Sequence, residues 1–468
     1  MTWEEAAREI CSVAAGLMQL GLKPGQHIGI MAPTSRSWEV FQLAVLTAGG
    51  VVVGIDPKEA RANVNLILRR AEISVLVIQS PDLLHSIGEE ERDQLEHVIS
   101  MEDTSDEECL VLDSLKRENP PGHLEGLDQS SPESPATVIF TSGTTGTPKG
   151  IRYSHAQVVL ACRAIVEAFP GLQEGSRLVC WLPLSNLFQR MINHCAVMLN
   201  ASTFFVSDPR SILDALPKIK PDVFIGVPRL FEKIHQGMMQ EVQAKPLHMR
   251  ALIKAAFKVG DAHARTLRGN TREPTLSRLL FPVLDRVVLK KLRAFFGGNI
   301  RFMISGSAPM PVWLLETYHA MGLLILEAYG ISENIVPMAM NRPQAFRFGT
   351  VGQPLGANEI VLSPENEVLV RGPGVCTRYL TDDAGDVGLG QDGYLQTGDL
   401  AAMDHQGFLR LTGRESEIIK TSTGRRIAPS GIEDQLRQIP SVEHAVIVGD
   451  NRTCPVAILA LAQSGKVS

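Results

Sequence analysis

The chain has 468 residues, 51.0 kDa, with 44% hydrophobic content and a mean hydropathy near zero, which describes a soluble globular protein too long for one ordinary core. A net charge of −6 gives no reason to expect a nucleic-acid binder. Cys11, Cys109, Cys162, Cys180, Cys195, Cys376 and Cys454 form no C-x-x-C pair and no metal-ligand spacing, a pattern that fits unpaired thiols in a reducing compartment.

The start, MTWEEAAREI, lacks a basic segment followed by an apolar run, so no signal peptide is expected. The longest nearly apolar run, 41–55, falls short of the ~20 residues a spanning helix needs. It reads instead as a helix end and a strand joined at Gly49-Gly50. Residues 2–20 carry Ala6, Ile10, Val13, Ala14 and Leu17 at helical spacing, with Thr2 as N-cap and Glu5 three residues on. Strands are predicted at 27–32, 51–55 and 75–78, and helices at 37–48 and 61–71. Helices alternating with short β-branched strands predict a parallel, doubly wound α/β sheet. Residues 102–134, polar and acidic with Pro and Ser, read as a solvated connection.

That connection leads to VIFTSGTTGTPKG, 138–150. Val138, Ile139 and Phe140 read as the end of a buried strand. Gly143, Gly146 and Gly150 allow turns in which amide N–H groups converge on an anion. Thr141, Ser142, Thr144, Thr145 and Thr147 add hydroxyl donors, and Lys149 adds a positive charge. This is the chemistry of a polyphosphate cradle, but not of a Walker A loop: counting from Gly143, Pro148 stands at the second glycine position and Gly150 where a magnesium-binding Ser/Thr belongs. The stretch resembles the phosphate-binding loop of the adenylate-forming (ANL) superfamily, which includes acyl-CoA synthetases, adenylation domains and firefly luciferase.

Further along, 156–169 reads as a helix and 178–181 as a strand. LPLSNLFQR, 182–190, is similar to the Leu-Pro-Leu-Ser-His-x-Phe-Glu-Arg string of long-chain acyl-CoA synthetases, with Asn186 for the usual His and Gln189 for the usual Glu. By that resemblance residue 186 faces the nucleotide and acyl groups; the plainer reading is a helix-capping Asn beside the site. GVPRLFEKI, 226–234, resembles the same branch. It opens a helical region, 229–299, with 14 Lys/Arg against 5 Asp/Glu, a balance of +9 that leaves −15 for the remainder. Leu284, Val287, Val288, Leu292 and Phe295 form an apolar stripe there, with Lys290, Lys291 and Arg293 off it. A solvated basic face is the plainer reading; a surface for anionic lipid or for coenzyme A phosphates is the sharper one.

RFMISGSAPM, 301–310, reads as a strand ending in a Ser/Gly turn, and the resemblance places the backbone of Gly306, Ser307 and Ala308 beside adenine. In LEAYGISE, 326–333, Tyr329 offers a flat π face for a purine, and Glu333 a carboxylate for a magnesium ion partly neutralised by phosphates. The stretch matches the superfamily's Tyr-Gly-x-Thr-Glu motif, carried by Tyr329, Gly330, Ser332 (for Thr) and Glu333. Residues 341–355 and 367–380 match the long-chain group in pattern and are expected to be structural, in a small β-rich subdomain. DGYLQTGDL, 392–400, places Asp399 where a buried carboxylate can accept two ribose hydroxyls, its role in the superfamily. In 411–434, Arg414 matches the arginine that meets the ribose; the hinge position two residues later holds Ser416, and Lys420 and Gly424 match the segment used for thioester formation.

The resemblance implies a long-chain fatty acid–CoA ligase. A fatty carboxylate attacks the α-phosphorus of Mg-ATP to give acyl-adenylate and pyrophosphate, and the thiol of coenzyme A then displaces AMP. It assigns Lys149, Thr145, Glu333 and Lys420 to catalysis, Glu333 and Thr145 to Mg2+, and Thr141–Thr147, 306–308, Tyr329, Gly330, Ser332, Asp399 and Arg414 to the nucleotide. It also implies a large α/β N-terminal domain over 1–413, with doubly wound mixed or parallel sheets, and part of a small α+β C-terminal domain over 414–468. The superfamily's C-terminal lysine has no match before Ser468, so the small domain reads as shortened. Two other expectations stand beside this one: an enzyme that hands the acyl-adenylate to a carrier protein, and a non-catalytic ATP- or acyl-binding relative. A cytoplasmic location with peripheral contact to an anionic membrane completes the expectations.

Overall fold

A computed structural model describes residues 1–117, 130–142, 148–269, 274–380, 387–390, 392–437, 439 and 441–461. The first helix, Trp3–Gln19, starts at the predicted capping box: Thr2 Oγ1 accepts the Glu5 amide at 3.2 Å, and Glu5 Oε2 accepts the Thr2 amide at 2.7 Å. Strands His27–Met31, Val51–Ile55 and Val75–Ile78 and helices Arg36–Thr47 and Arg61–Arg70 stand where the apolar periodicity places them. Each of these strands is buried almost throughout, as a parallel sheet covered on both faces requires.

These strands form one eight-stranded sheet with His97–Ser100, Leu110–Val111, Pro135–Ser142, Pro148–Ser154 and Tyr379–Leu380. The strand Pro135–Ser142 joins Val51–Ile55 in parallel, then turns back on itself as an antiparallel hairpin with Pro148–Ser154. A second, seven-stranded sheet contains Arg177–Cys180, Ser202–Phe205, Val223–Gly226, Phe302–Ser305 and Ile325–Tyr329 in parallel, with Ala339–Met340 and Gln353–Pro354 added antiparallel. Helices His155–Ala168 and Leu187–Met198 lie between the two sheets. Their apolar residues Ile165, Met191 and Ile192 share one core with Ile139 and Ile151 of the first sheet and Ile225 and Ile304 of the second. A four-stranded antiparallel sheet spans Glu359–Leu362, Glu367–Arg371, Leu395–Met403 and Leu409–Arg414. A small α+β segment follows, with helix Pro429–Arg437 and the pair Val442–Val448/Val456–Leu461. Fold class and element order therefore agree with the sequence reading.

Two expectations are corrected. The connection 102–134 is not all solvated loop: Leu110–Val111 adds an edge strand, and Leu112 and Leu115 are buried beside the first helix. The stripe through Leu284–Phe295 is not one helix face. Helix Thr275–Leu284 runs into a π-turn over Asp285–Leu289 before helix Lys290–Arg293. The wider turn rotates the positions after it, so Val288 is buried while Val287 and Phe295 are exposed.

Candidate active site

The strands on either side of the glycine-rich stretch, Pro135–Ser142 and Pro148–Ser154, pair antiparallel, whereas a Walker A loop joins a strand to a helix. Thr141 faces Lys149 across the hairpin, Phe140 faces Gly150, and the Ser142 backbone faces Pro148. Gly143, Thr144, Thr145, Gly146 and Thr147, the centre of the predicted cradle, lie outside the described residues. Two features hold the hairpin's second strand. Arg70 Nη1 donates to the Pro148 carbonyl at 2.7 Å, and Tyr379 pairs with Ile151 on the strand's outer side. The hairpin ends at Ser154, which caps helix His155–Ala168 in a capping box with Gln157.

Lys149 is half-buried with Nζ 4.9 Å from the Tyr379 ring centroid, a cation–π contact. The Tyr379 hydroxyl donates to Glu333 Oε1 at 2.9 Å. Lysine, aromatic ring and carboxylate thus form one chain of contacts. Burial first, and the Glu333 charge second, push the Tyr379 phenol above its usual range, so it stays a donor. The Cys376 amide donates to the Glu333 carbonyl at 2.8 Å. The same two causes push the Cys376 thiol up to about 12, so it is inert at neutral pH. The sequence reading treated 367–380 as structural; pairing into the first sheet brings Tyr379 to Glu333 instead.

On the other side, Tyr329 ends its strand with the ring on the cavity wall and the hydroxyl donating to Asp399 Oδ2 at 2.6 Å. Asp399 is buried, and its Oδ1 meets Arg414 Nε at 2.9 Å across the strand pair that joins them. Burial, then the Asp399 charge, raise the Tyr329 phenol well above the usual range. The Ser332 carbonyl accepts the hydroxyl of buried Tyr153, which fixes the turn between Tyr329 and Glu333. Gly306 donates to the Gly226 carbonyl at 3.3 Å and lines the cavity with Ser307 and Gly330, while Ala308 is exposed. Ser307 holds φ = 72°, a left-handed conformation unusual for a residue with a side chain.

A cavity of about 430 Å³ opens beside Tyr329 and Ser332, walled by apolar side chains including Ile139, Phe140, Leu182, Phe188 and Ile304. Asn186 stands at the N-cap position of Leu187–Met198 but makes no side-chain cap bond, and it lines the cavity. The capping role is therefore not the one the structure gives it. Gln189 is buried in the wall itself: its Oε1 accepts the amides of Trp181 at 3.4 Å and Leu182 at 3.3 Å, and its Nε2 donates to Asn193 at 3.1 Å.

Arg190, fully buried, was not singled out by the sequence reading. It donates to the Leu184 carbonyl at 3.0 Å, the Ser185 carbonyl at 3.4 Å and Thr137 Oγ1 at 2.5 Å. It thereby ties the 182–186 turn to the strand that enters the hairpin. Burial lowers its pKa to about 10, which leaves it charged at neutral pH. Nearby Glu39, pushed above the usual carboxylate range by burial, accepts from Asn193 at 2.8 Å and Gln42 at 3.1 Å. A cationic residue at 190 amid the apolar face of an amphipathic helix was the available signal.

Lys420 is exposed, with its backbone tied to Asp450 and Asn451 and its side chain unpartnered among the described residues. It is not brought to Glu333 or Lys149. Among the described residues no cluster of three or more His, Cys, Asp or Glu exists. A lone, half-buried carboxylate such as Glu333 suits magnesium, which takes one or two protein carboxylates and completes its shell with phosphate and water.

The profile of the AMP-binding enzyme family matches residues 1–380, and that of the AMP-binding enzyme C-terminal domain matches 416–467. The chain is 33% identical over 465 residues to long-chain-fatty-acid–CoA ligase FadD15 of Mycobacterium bovis, covering 98% of this chain and 77% of that protein. It is 28% identical over 486 residues to human long-chain-fatty-acid–CoA ligase 1, covering 96% and 68%. Similar solved structures are the anthranilate CoA ligase AuaEII with anthranoyl-AMP (TM-score 0.75, 22% identity, 100% of this chain, 83% of that one) and o-succinylbenzoate CoA synthetase of Bacillus subtilis with ATP and magnesium (TM-score 0.72, 19% identity, 98% and 84%). At those identities the structural likeness speaks for the fold.

Proposed function

The chain belongs to the AMP-binding enzyme family, and on that premise we propose that it is an AMP-forming long-chain fatty acid–CoA ligase. The observation that carries the reading is an apolar cavity whose wall includes Tyr329 and Ser332, with two chains of contacts tied to that wall: Tyr329–Asp399–Arg414, and Lys149–Tyr379–Glu333 through Glu333 next to Ser332. A fatty carboxylate is a weak nucleophile that needs positioning and a neutralised phosphate rather than a general base. The cavity wall sequesters the acyl chain from water, and Asn186 is the polar group placed to orient its carboxylate.

Lys149 and the glycine-rich stretch before it hold the polyphosphate, and Glu333 with Thr145 holds magnesium, which supplies charge neutralisation when bound. Tyr379 keeps Glu333 and Lys149 apart yet aligned. The Tyr329 ring and the 306–308 turn take adenine; Asp399, steadied by Tyr329 and Arg414, takes the ribose hydroxyls. Thr141, Ser142, Gly143, Thr144, Gly146, Thr147, Gly330 and Ser332 complete the nucleotide contacts in this reading. Lys420 serves the thioester step after movement of the segment beyond Arg414, with domains divided as 1–413 and 414–468.

The finer proposals for setting are a cytoplasmic location and peripheral contact with an anionic membrane. Among the described residues no helix is long and apolar enough to cross one.

Product analysis tests the reading. A long-chain fatty acid, ATP and coenzyme A should give acyl-CoA, AMP and pyrophosphate. Acyl-adenylate unchanged by coenzyme A would point to carrier transfer, and ATP binding without turnover would refute catalysis.

A further inference from the structure

Helix Thr275–Leu284 has no buried residue. Its inner side, Phe281 and Leu284, packs on the preceding helix Leu247–Leu267, where His263 stacks on Phe281 at 3.8 Å. The opposite side is apolar as well. Leu276, Leu279, Leu280 and Val283 recur at helical spacing, Val287 follows exposed in the π-turn, and Leu276, Leu279 and Val283 are each 60–69% exposed. Arg278, exposed, is the one charged residue of this helix, and an apolar side as wide as Leu276–Val283 is ordinarily covered. Here one side faces solvent, so a partner surface is missing.

The charges beside that stripe identify the partner. Arg286, Lys290 and Lys291 follow on the same continuous helical segment, are exposed, and form no ion pair with any described residue. Asp285, the only acid between Thr275 and Phe296, is taken up by Arg293 at 2.6 Å. Apolar side chains with an uncompensated cationic flank, on a chain of net charge −6, match the boundary between acyl chains and anionic headgroups. A second copy docked by the same face would bring this cationic flank onto its own like charges. Free phosphate would leave the leucines unused.

We propose that the Leu276–Val287 stripe with Arg286, Lys290 and Lys291 is a peripheral docking surface for anionic lipid bilayers. It gives a place to the membrane contact proposed above, but rests on residues outside the cavity and is tested apart from the acyl-activating reaction. The helix would lie in the interface plane, its leucines among the acyl chains and its cations at the headgroups.

The test is sedimentation of the full chain with phosphatidylcholine vesicles, with and without phosphatidylglycerol. Binding should require the anionic lipid and weaken with salt. Neutralising three charges, as Arg286→Gln, Lys290→Gln and Lys291→Gln together, should lower the partition coefficient about 100-fold. Leu279→Ser with Val283→Ser should also abolish sedimentation while leaving the melting temperature and solution turnover unchanged, because neither side chain is buried. Sedimentation of either variant equal to the parent's, or no sedimentation of the parent, would overturn the proposal. So would a gel-filtration dimer that the leucine–valine variant converts to monomer.

Discussion

Gly54→Ala probes the buried arginine that braces the cavity. A Cβ at residue 54 would overlap Arg190 Nη2 and lie 2.8 Å from Ser185 Cα. Neither neighbour can yield cheaply. The guanidinium is fixed by the Leu184 and Ser185 carbonyls and by Thr137, whose hydroxyl in turn donates to the Val52 carbonyl at 2.9 Å. Moving it breaks at least one hydrogen bond to a buried cation, which costs about 1.5–3 kcal/mol. Overpacking the strand adds about 1–3 kcal/mol. A total near 3–5 kcal/mol is expected, read as a drop in unfolding free energy by urea titration monitored by tryptophan fluorescence. Because Ser185 adjoins Asn186 on the cavity wall, KM for the fatty acid should rise as well. A loss under about 1 kcal/mol with unchanged KM would show that Arg190 does not lock the turn.

Glu333→Ala should lower ATP–pyrophosphate exchange about 100- to 1,000-fold with little change in melting temperature, since the residue is only half-buried. Tyr379→Phe deletes the 2.9 Å bond to Glu333 but keeps the ring under Lys149, so KM for MgATP should rise roughly threefold to tenfold, and Tyr379→Ala should do worse in steady-state kinetics. Glu327 is buried, with Oε1 accepting the Met310 amide at 3.0 Å and Oε2 unpartnered; burial raises its pKa to about 7. Its folded-state pKa lies above the unfolded value of 4.5, so the native chain loses stability as pH rises from about 4.5 through 7, by about 3 kcal/mol, and then levels off. Glu327→Gln should flatten that slope in denaturation midpoints measured between pH 5 and pH 8; an unchanged slope would remove Glu327 as its source.

Much of this protein was legible in one dimension. The short β-branched apolar runs and the 3.6-residue periodicity of 2–78 locate strands and helices to within a residue or two, because burial on both faces of a parallel sheet keeps each strand apolar throughout. The strings around Lys149, Glu333, Asp399 and Arg414 resemble the superfamily's motifs, and it is that resemblance which assigns them to phosphate, metal and ribose. Asn186 was legible as a polar residue beside the cavity, but not as one free of a capping bond.

Only the tertiary structure decided how these pieces meet. Arg190 reaches Thr137 across 53 positions, and Tyr379 reaches Glu333 across 46; no local pattern encodes such pairings. A π-turn over five residues redirected the stripe after Leu284, an offset invisible to any fixed helical period. The sequence by itself determined which residues carry charge, hydroxyl or aromatic surface and roughly which element bears each. Strand order decided which of them face one cavity, because side-chain hydrogen bonds act over about 3 Å while the chain must travel through two sheets to bring their ends that close.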